Sequence, residues 1–311
     1  MGARVIRKTA VSGIPINAHL AFAALRGRAH RLLASPPRII SNNIETALAA
    51  DYDRKEIERI VRECQVFYKQ IYLWRILPRH PGFGKSRLLT VTGLEHLEDA
   101  REKGRGAILI TAHLGYPHII PRLLEARGYA VRQMLADREE FKRMHEFQER
   151  LEHSSWLRRA IYDKTKVRTE SLYPSDIVAS LDVRPLVSAL GRNEIVMIAG
   201  DGLAATQFMR FPLFGKPYPF PTGVVKIALA TGATLLPVFA VPAVRSRGIR
   251  VDIEPPLLMD PEVGLDINLT QFVNVLRKRL ERTPHLWLRW KVPNWFEVAD
   301  SRAEQANFFW N

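Results

Sequence analysis

GAILITAHLGYPHII, residues 106–120, is the stretch whose reading decides the fold. From Ala107 to Ile110 every side chain is apolar, so both faces of an extended segment would be buried, as in a strand of a parallel sheet. The following run, IIPRLLEARG, reads as a helix that stops at Gly128. His113 therefore lies where a strand hands over to a helix. In open α/β sheets the carboxyl ends of the strands are where active sites collect.

The rest of the chain repeats this alternation. Ile57, Ile60, Val61, Cys64, Phe67 and Ile71 recur at helical spacing between Asp53 and Leu77, and TGLEHLEDAREKG reads as a short helix closed by Gly104. YAVRQMLA reads as a strand, REEFKRMHEFQERLEH as a charged helix, and RPLVSALGRN as a helix. EIVMIAGD is a second apolar strand ending in Asp201. TGVVKIALATGA is a helix, TLLPVFAVP a third apolar strand, GIRVDIEPP a further strand, and NLTQFVNVLRKRLERTP an amphipathic helix. The segment from Ser154 to Arg184 has no clear period. The pattern implies an α/β fold: a central, mostly parallel sheet flanked by helices, with a helical region at the N-terminus. We divide it into residues 1–40, a helix packed on the domain or lying on a membrane, residues 41–296, the α/β domain, and residues 297–311, a tail.

Composition narrows the class. The chain has 311 residues, 47% of them hydrophobic, which is globular rather than disordered. Its 46 Lys and Arg against 32 Asp and Glu give a formal charge of +14, which favours an anionic partner. The single cysteine excludes a disulfide framework within the chain and suits a reducing compartment. No apolar run approaches the ~18 residues of a membrane-spanning helix. Ile14–Leu25 is apolar and followed by Arg26, Arg28 and Arg31, which suits either a surface helix at anionic headgroups or an ordinary packed helix. No nucleic-acid motif, phosphate-binding glycine loop, GxSxG elbow or compact metal-ligand set is present.

Several residues can carry chemistry. A strand-end histidine such as His113 suits a general base, because its ordinary pKa lies near neutrality; the alternative is a structural histidine in a turn. Asp201, with Gly202 beside it, suits a substrate-binding or base-orienting carboxylate, or a plain turn aspartate. FPLFGKPYPFP, before a helix, reads as a stiff apolar loop. Phe214 could line an acyl groove there, Gly215 and Gly223 permit close backbone approach, and Lys216 and Lys226 could meet phosphate; a rigid connector is the alternative. In HLWLRWKVPNWF, Trp287, Trp290 and Trp295 interleave with Arg289 and Lys291, which suits a membrane interface, a stacking surface or simple packing.

Taken in order, ISNNIETALAADYDRKEIERIVRECQVFYKQ, VTGLEHLEDAREKGRGAILITAHLG, LVSALGRNEIVMIAGDG, FPLFGKP with TGVVKIALATGATLLPVF, and PHLWLRWKVP resemble the lipid A biosynthesis acyltransferase family, within the lysophospholipid acyltransferase group. The resemblance covers about residues 40–292. It implies transfer of an acyl group from acyl carrier protein or acyl-CoA to a glycolipid or lysolipid acceptor, with no cofactor, no metal and no nucleic acid. The family signature is a histidine followed, after four residues, by Asp or Glu. His113 matches the histidine, but the acidic position is occupied by His118. The resemblance makes His113 the base and His118 its orienting partner. Asp201 or Asp137 is then a candidate for the missing carboxylate, and Arg138, Gly202, Phe214, Gly215, Lys216, Thr222 and Gly223 are substrate-side candidates. Loss of the acid leaves two other readings open, a non-catalytic lipid- or carrier-binding protein and acyl transfer to an amine. Family members typically carry a membrane-spanning N-terminal helix. The short, arginine-flanked segment here implies peripheral attachment to the anionic cytoplasmic face of the inner membrane.

Overall fold

The computed structural model describes residues 15–33, 36–70, 77–80, 82–135, 178–179, 182–203, 205–243, 248–292 and 294–301. The charged helix read at residues 138–153 lies outside them, as do Asp137 and Arg138. Three helices come first: α1 (Ile16–Leu33), α2 (Arg38–Leu48) and α3 (Arg54–Gln70). Then follow β1 (Leu89–Thr92), α4 (Leu94–Glu102), β2 (Ala107–Thr111), α5 (Ile119–Glu125), β3 (Val131–Leu135) and β4 (Val178–Ala179). The second half holds α6 (Arg184–Gly191), β5 (Ile195–Ala199), β6 (Phe208–Leu213), β7 (Lys216–Pro221), α7 (Gly223–Thr231), β8 (Thr234–Pro242), β9 (Ile249–Ile253) and α8 (Leu265–Arg282).

Seven strands form one sheet in the order β1-β9-β8-β2-β5-β3-β4, and only the β8–β9 pairing is antiparallel. The α/β reading with a mostly parallel sheet holds. β2 is central, and all five of its residues are buried, as its unbroken apolar run requires. Helices pack on the sheet through the same core that takes Ile16 and Leu20 of α1, which lies along α3. Gly104 and Gly128 follow their helices with φ of 70° and 89°, the left-handed conformation that ends a helix.

One sequence reading changes. FPLFGKPYPFP is not a loop: β6 and β7 form a separate antiparallel ribbon, Phe208 facing Pro221 and Leu213 facing Lys216. Its prolines misled because proline is excluded from central strands, yet a two-stranded ribbon has only edges. The turn is made by Phe214 and Gly215, with φ of 53° and 67°. Of the readings open for Trp287, Trp290 and Trp295, the structure has simple packing. They are buried, in and beyond two short 3₁₀ turns, Pro284–Leu286 and Leu288–Lys291. Tyr68 of α3 donates to the Trp287 carbonyl (3.0 Å), and Asn43 of α2 donates to those of Trp290 and Val292 (3.0 and 2.6 Å). The N-terminal helices thus anchor the tryptophan segment.

Candidate active site

β2 and β5 are adjacent and parallel, with Thr111 opposite Ala199. His113 and Asp201 each lie two residues beyond those strand ends, so the register carries them to the same height at the carboxyl edge of the sheet. The third contributor is the tryptophan segment. Gly115 N donates to the Leu286 carbonyl (3.0 Å) and Leu288 N to the His113 carbonyl (2.8 Å), which lays residues 286–288 along 113–115. Gly115 fits this crossing because it has no side chain. Its φ is 68°, and a Cβ there would lie 2.0 Å from the Ala240 carbonyl oxygen.

His113 Nδ1 is 2.7 Å from Asp201 Oδ1. The Asp201 side chain is wholly buried, whereas 31% of the His113 side chain is open. The carboxylate also accepts from His113 N (3.0 Å to each oxygen) and from Trp287 Nε1 (3.1 Å, to Oδ2). Its backbone carbonyl accepts from Tyr218 Oη (3.1 Å) and Arg289 Nη2 (3.2 Å). A buried carboxylate with this many donors is built to stay ionised. Burial alone would raise the Asp201 carboxyl. The charge and hydrogen bond of His113, the Arg289 charge and the Trp287 N–H outweigh it and hold the group well below the usual carboxylate range.

Arg289 Nη2 is 2.9 Å from His113 Nδ1 and 3.4 Å from Nε2. One ring nitrogen cannot donate to Asp201 and accept from Arg289 at once. The ionised carboxylate is the shorter contact and accepts only, so Nδ1 carries the proton and Arg289 acts on the ring as a nearby charge. Nε2 is then the bare, basic nitrogen. Desolvation and the Arg289 cation lower the His113 pKa below its ordinary 6.5, against the opposing pull of Asp201. The ring is neutral at neutral pH, with a fixed tautomer and a counter-charge ready for the imidazolium. That arrangement can take a proton from a hydroxyl or amine.

The other sequence candidates separate. The His113 ring meets Asp201 and Arg289, not His118, which stands at the N-terminal boundary of α5. The reason is local: α5 begins at Ile119 and takes position 118 with it, while the ring turns toward the neighbouring strand. Gly202 follows Asp201, and a Cβ there would meet only the Ala199 carbonyl oxygen at 3.5 Å. Phe214 lies against Trp287 and Trp290, ring centroids 6.0 and 5.5 Å apart. Gly215 makes the hairpin turn and Lys216 opens β7. Thr222 is buried and ties the hairpin base, its N donating to the Gln207 carbonyl (3.1 Å), and Lys226 Nζ donates to Gln207 Oε1. A Cβ at Gly223 would meet nothing within 4 Å, so no close approach requires glycine there. Sequence reading gave Trp287 and Arg289 only an interface, stacking or packing role, and Tyr218 none. The only signal was the cation set between tryptophans. Among the described residues no group of three or more His, Cys, Asp or Glu side chains could hold a metal.

A family model described as bacterial lipid A biosynthesis acyltransferase matches residues 3–290. A search of curated proteins finds no match to the chain.

Proposed function

From a chain that belongs to the bacterial lipid A biosynthesis acyltransferase family, and is by that membership an acyltransferase, we propose that His113 is the general base of acyl transfer from a thioester to a lipid hydroxyl. The observation that carries the reading is the 2.7 Å contact between His113 Nδ1 and a fully buried Asp201. The acceptor hydroxyl donates to Nε2. As its oxygen attacks the thioester carbonyl, the proton passes to Nε2, and the imidazolium keeps its Nδ1–H on Asp201. The tetrahedral intermediate then expels the thiolate, which takes the proton from Nε2, leaving an ester and a free thiol.

Asp201 supplies the negative charge that position 118 lacks. That removes the main argument for a silent, binding-only protein. The donor is acyl carrier protein or acyl-CoA, and the acceptor a glycolipid or lysolipid. The protein works at an anionic membrane surface: Phe22 and Leu25 of α1 are 59% and 65% exposed, and no described helix is long and apolar enough to cross a bilayer. Thiol release from dodecanoyl-CoA, with and without bacterial lipid extract, tests the reading. Lipid-dependent release that disappears in His113→Ala supports it; release unchanged in that variant refutes it.

A further inference from the structure

Arg289 lies 6% exposed beside the base, and its ion pair with Asp201 is long and not forked. A guanidinium placed to neutralise Asp201 would fork onto the carboxylate oxygens. Here Nε stops 3.9 Å from Oδ2, because Trp287 Nε1 and His113 N already occupy that carboxylate. Nε is fully enclosed and makes no hydrogen bond. Nη2 donates to the Asp201 carbonyl and stands against the His113 ring as a charge. The Trp295 ring, 4.5 Å from the guanidinium carbon, backs the plane and fixes its direction.

This placement works against the base. A cation 2.9 Å from Nδ1 and 3.4 Å from Nε2 opposes uptake of a proton by the ring. Asp201 offsets part of that opposition, and a negative charge that appears beside both groups in the same step offsets more of it. An acceptor oxygen bonded to Nε2 at an ordinary hydrogen-bond length would lie no more than about 6 Å from Nη2, which is itself 3.4 Å from Nε2. The carbonyl carbon it attacks is one bond further on. At that stage the site holds two negative charges, Asp201 and the oxyanion, and two positive ones, His113 and Arg289.

Resting on the reading above, we propose that Arg289 is a further catalytic residue, the fixed cation that stabilises the oxyanion formed when the acceptor adds to the thioester carbonyl. The balance is simple. The C=O π pair moves onto oxygen as the new C–O bond forms, Arg289 holds that charge, and the pair returns as the C–S bond breaks.

The test compares wild type, His113→Ala, Arg289→Gln and Arg289→Lys on dodecanoyl-CoA with bacterial lipid extract, following kcat, KM and pH dependence, with added methylguanidinium. Removing one oxyanion-stabilising donor typically lowers kcat by about 10²–10³. We expect such a fall in Arg289→Gln, KM within about threefold as for a group acting in the transition state, an acid limb moved to higher pH, and part of kcat restored by methylguanidinium. Arg289→Lys, which keeps the charge, should lose less and serves where the glutamine variant fails to fold. A folded Arg289 variant with wild-type kcat, a loss confined to KM, or a loss that neither moves the acid limb nor responds to methylguanidinium overturns the inference while His113→Ala still reports on the base. A wild type without His113-dependent turnover overturns both.

Discussion

Replacing Asp201 by asparagine keeps the shape of the side chain and changes one charge. The amide oxygen would stay on the Trp287 Nε1 donor now met by Oδ2, which turns the NH₂ toward His113 Nδ1 in place of Oδ1. Nδ1 must then accept, the ring proton moves to Nε2, and the basic nitrogen is lost from the face that meets substrate. The counter-charge for the imidazolium goes too. At about 4 Å between charge centres and an effective dielectric near 20, that attraction is about 4 kcal/mol, or about 10³ in rate. Serine-protease triads lose about 10⁴ for the same change of tautomer, which brackets the expectation at about 10³–10⁴ in kcat. The substitution also leaves Arg289 buried without its nearest carboxylate, a loss of about 3 kcal/mol of stability by analogy with broken buried pairs. Thioester turnover at saturating dodecanoyl-CoA measures the first effect and urea unfolding the second. A folded Asp201→Asn protein that retains more than about a tenth of wild-type kcat would refute the assignment, because a loss that small, about 1.4 kcal/mol, is far below the charge term.

Further outcomes follow from the same geometry. His118→Ala should keep kcat within about threefold, because the His113 ring is held by Asp201 and Arg289 instead; a hundredfold loss on thioester would restore His118 as the partner. The acid limb of kcat/KM should have its midpoint below 6.5, since desolvation and Arg289 depress the His113 pKa. The neutral ring is the working form, so activity is full above that pKa and lost as pH falls through it; the lowered pKa also means the unfolded chain binds the proton first, so stability falls as pH drops below 6.5. A midpoint above 7 contradicts this. Trp287→Phe removes the N–H on Asp201 Oδ2 and should lower stability by about 1.5–3 kcal/mol in urea unfolding, as for a hydrogen bond to a charged group. Gly115→Ala drives a Cβ into the Ala240 carbonyl at positive φ and should lower stability by at least about 2 kcal/mol, read from the shift of the urea midpoint.

The strands and helices were legible because each carries a local period or an unbroken apolar run. GAILIT, EIVMIA and TLLPVFAV all became central strands of the sheet. The β6–β7 ribbon was not legible, because its prolines mimic a loop when the partner strand is unknown. At the site, His113 and Asp201 were each marked as polar residues closing an apolar strand. What local sequence cannot carry is that β5 lies beside β2, and in which register, and those two facts decide the ring's partner. His118 had the right spacing along the chain but the wrong element, since position 118 starts a helix. Arg289, Trp287 and Tyr218 were hidden for a related reason. They come from the C-terminal segment and the ribbon: the pairing of residues 286–288 with 113–115 brings Trp287 and Arg289 to the strand ends, and Tyr218 reaches the Asp201 carbonyl from β7.

The most direct measurement is the mass spectrum of bacterial lipid extract incubated with the protein and an acyl thioester. The account predicts lipid species heavier by one acyl group with wild type and none with His113→Ala. The same acylated species appearing with His113→Ala, or no acylated species with wild type from either acyl-CoA or acyl carrier protein, would contradict it.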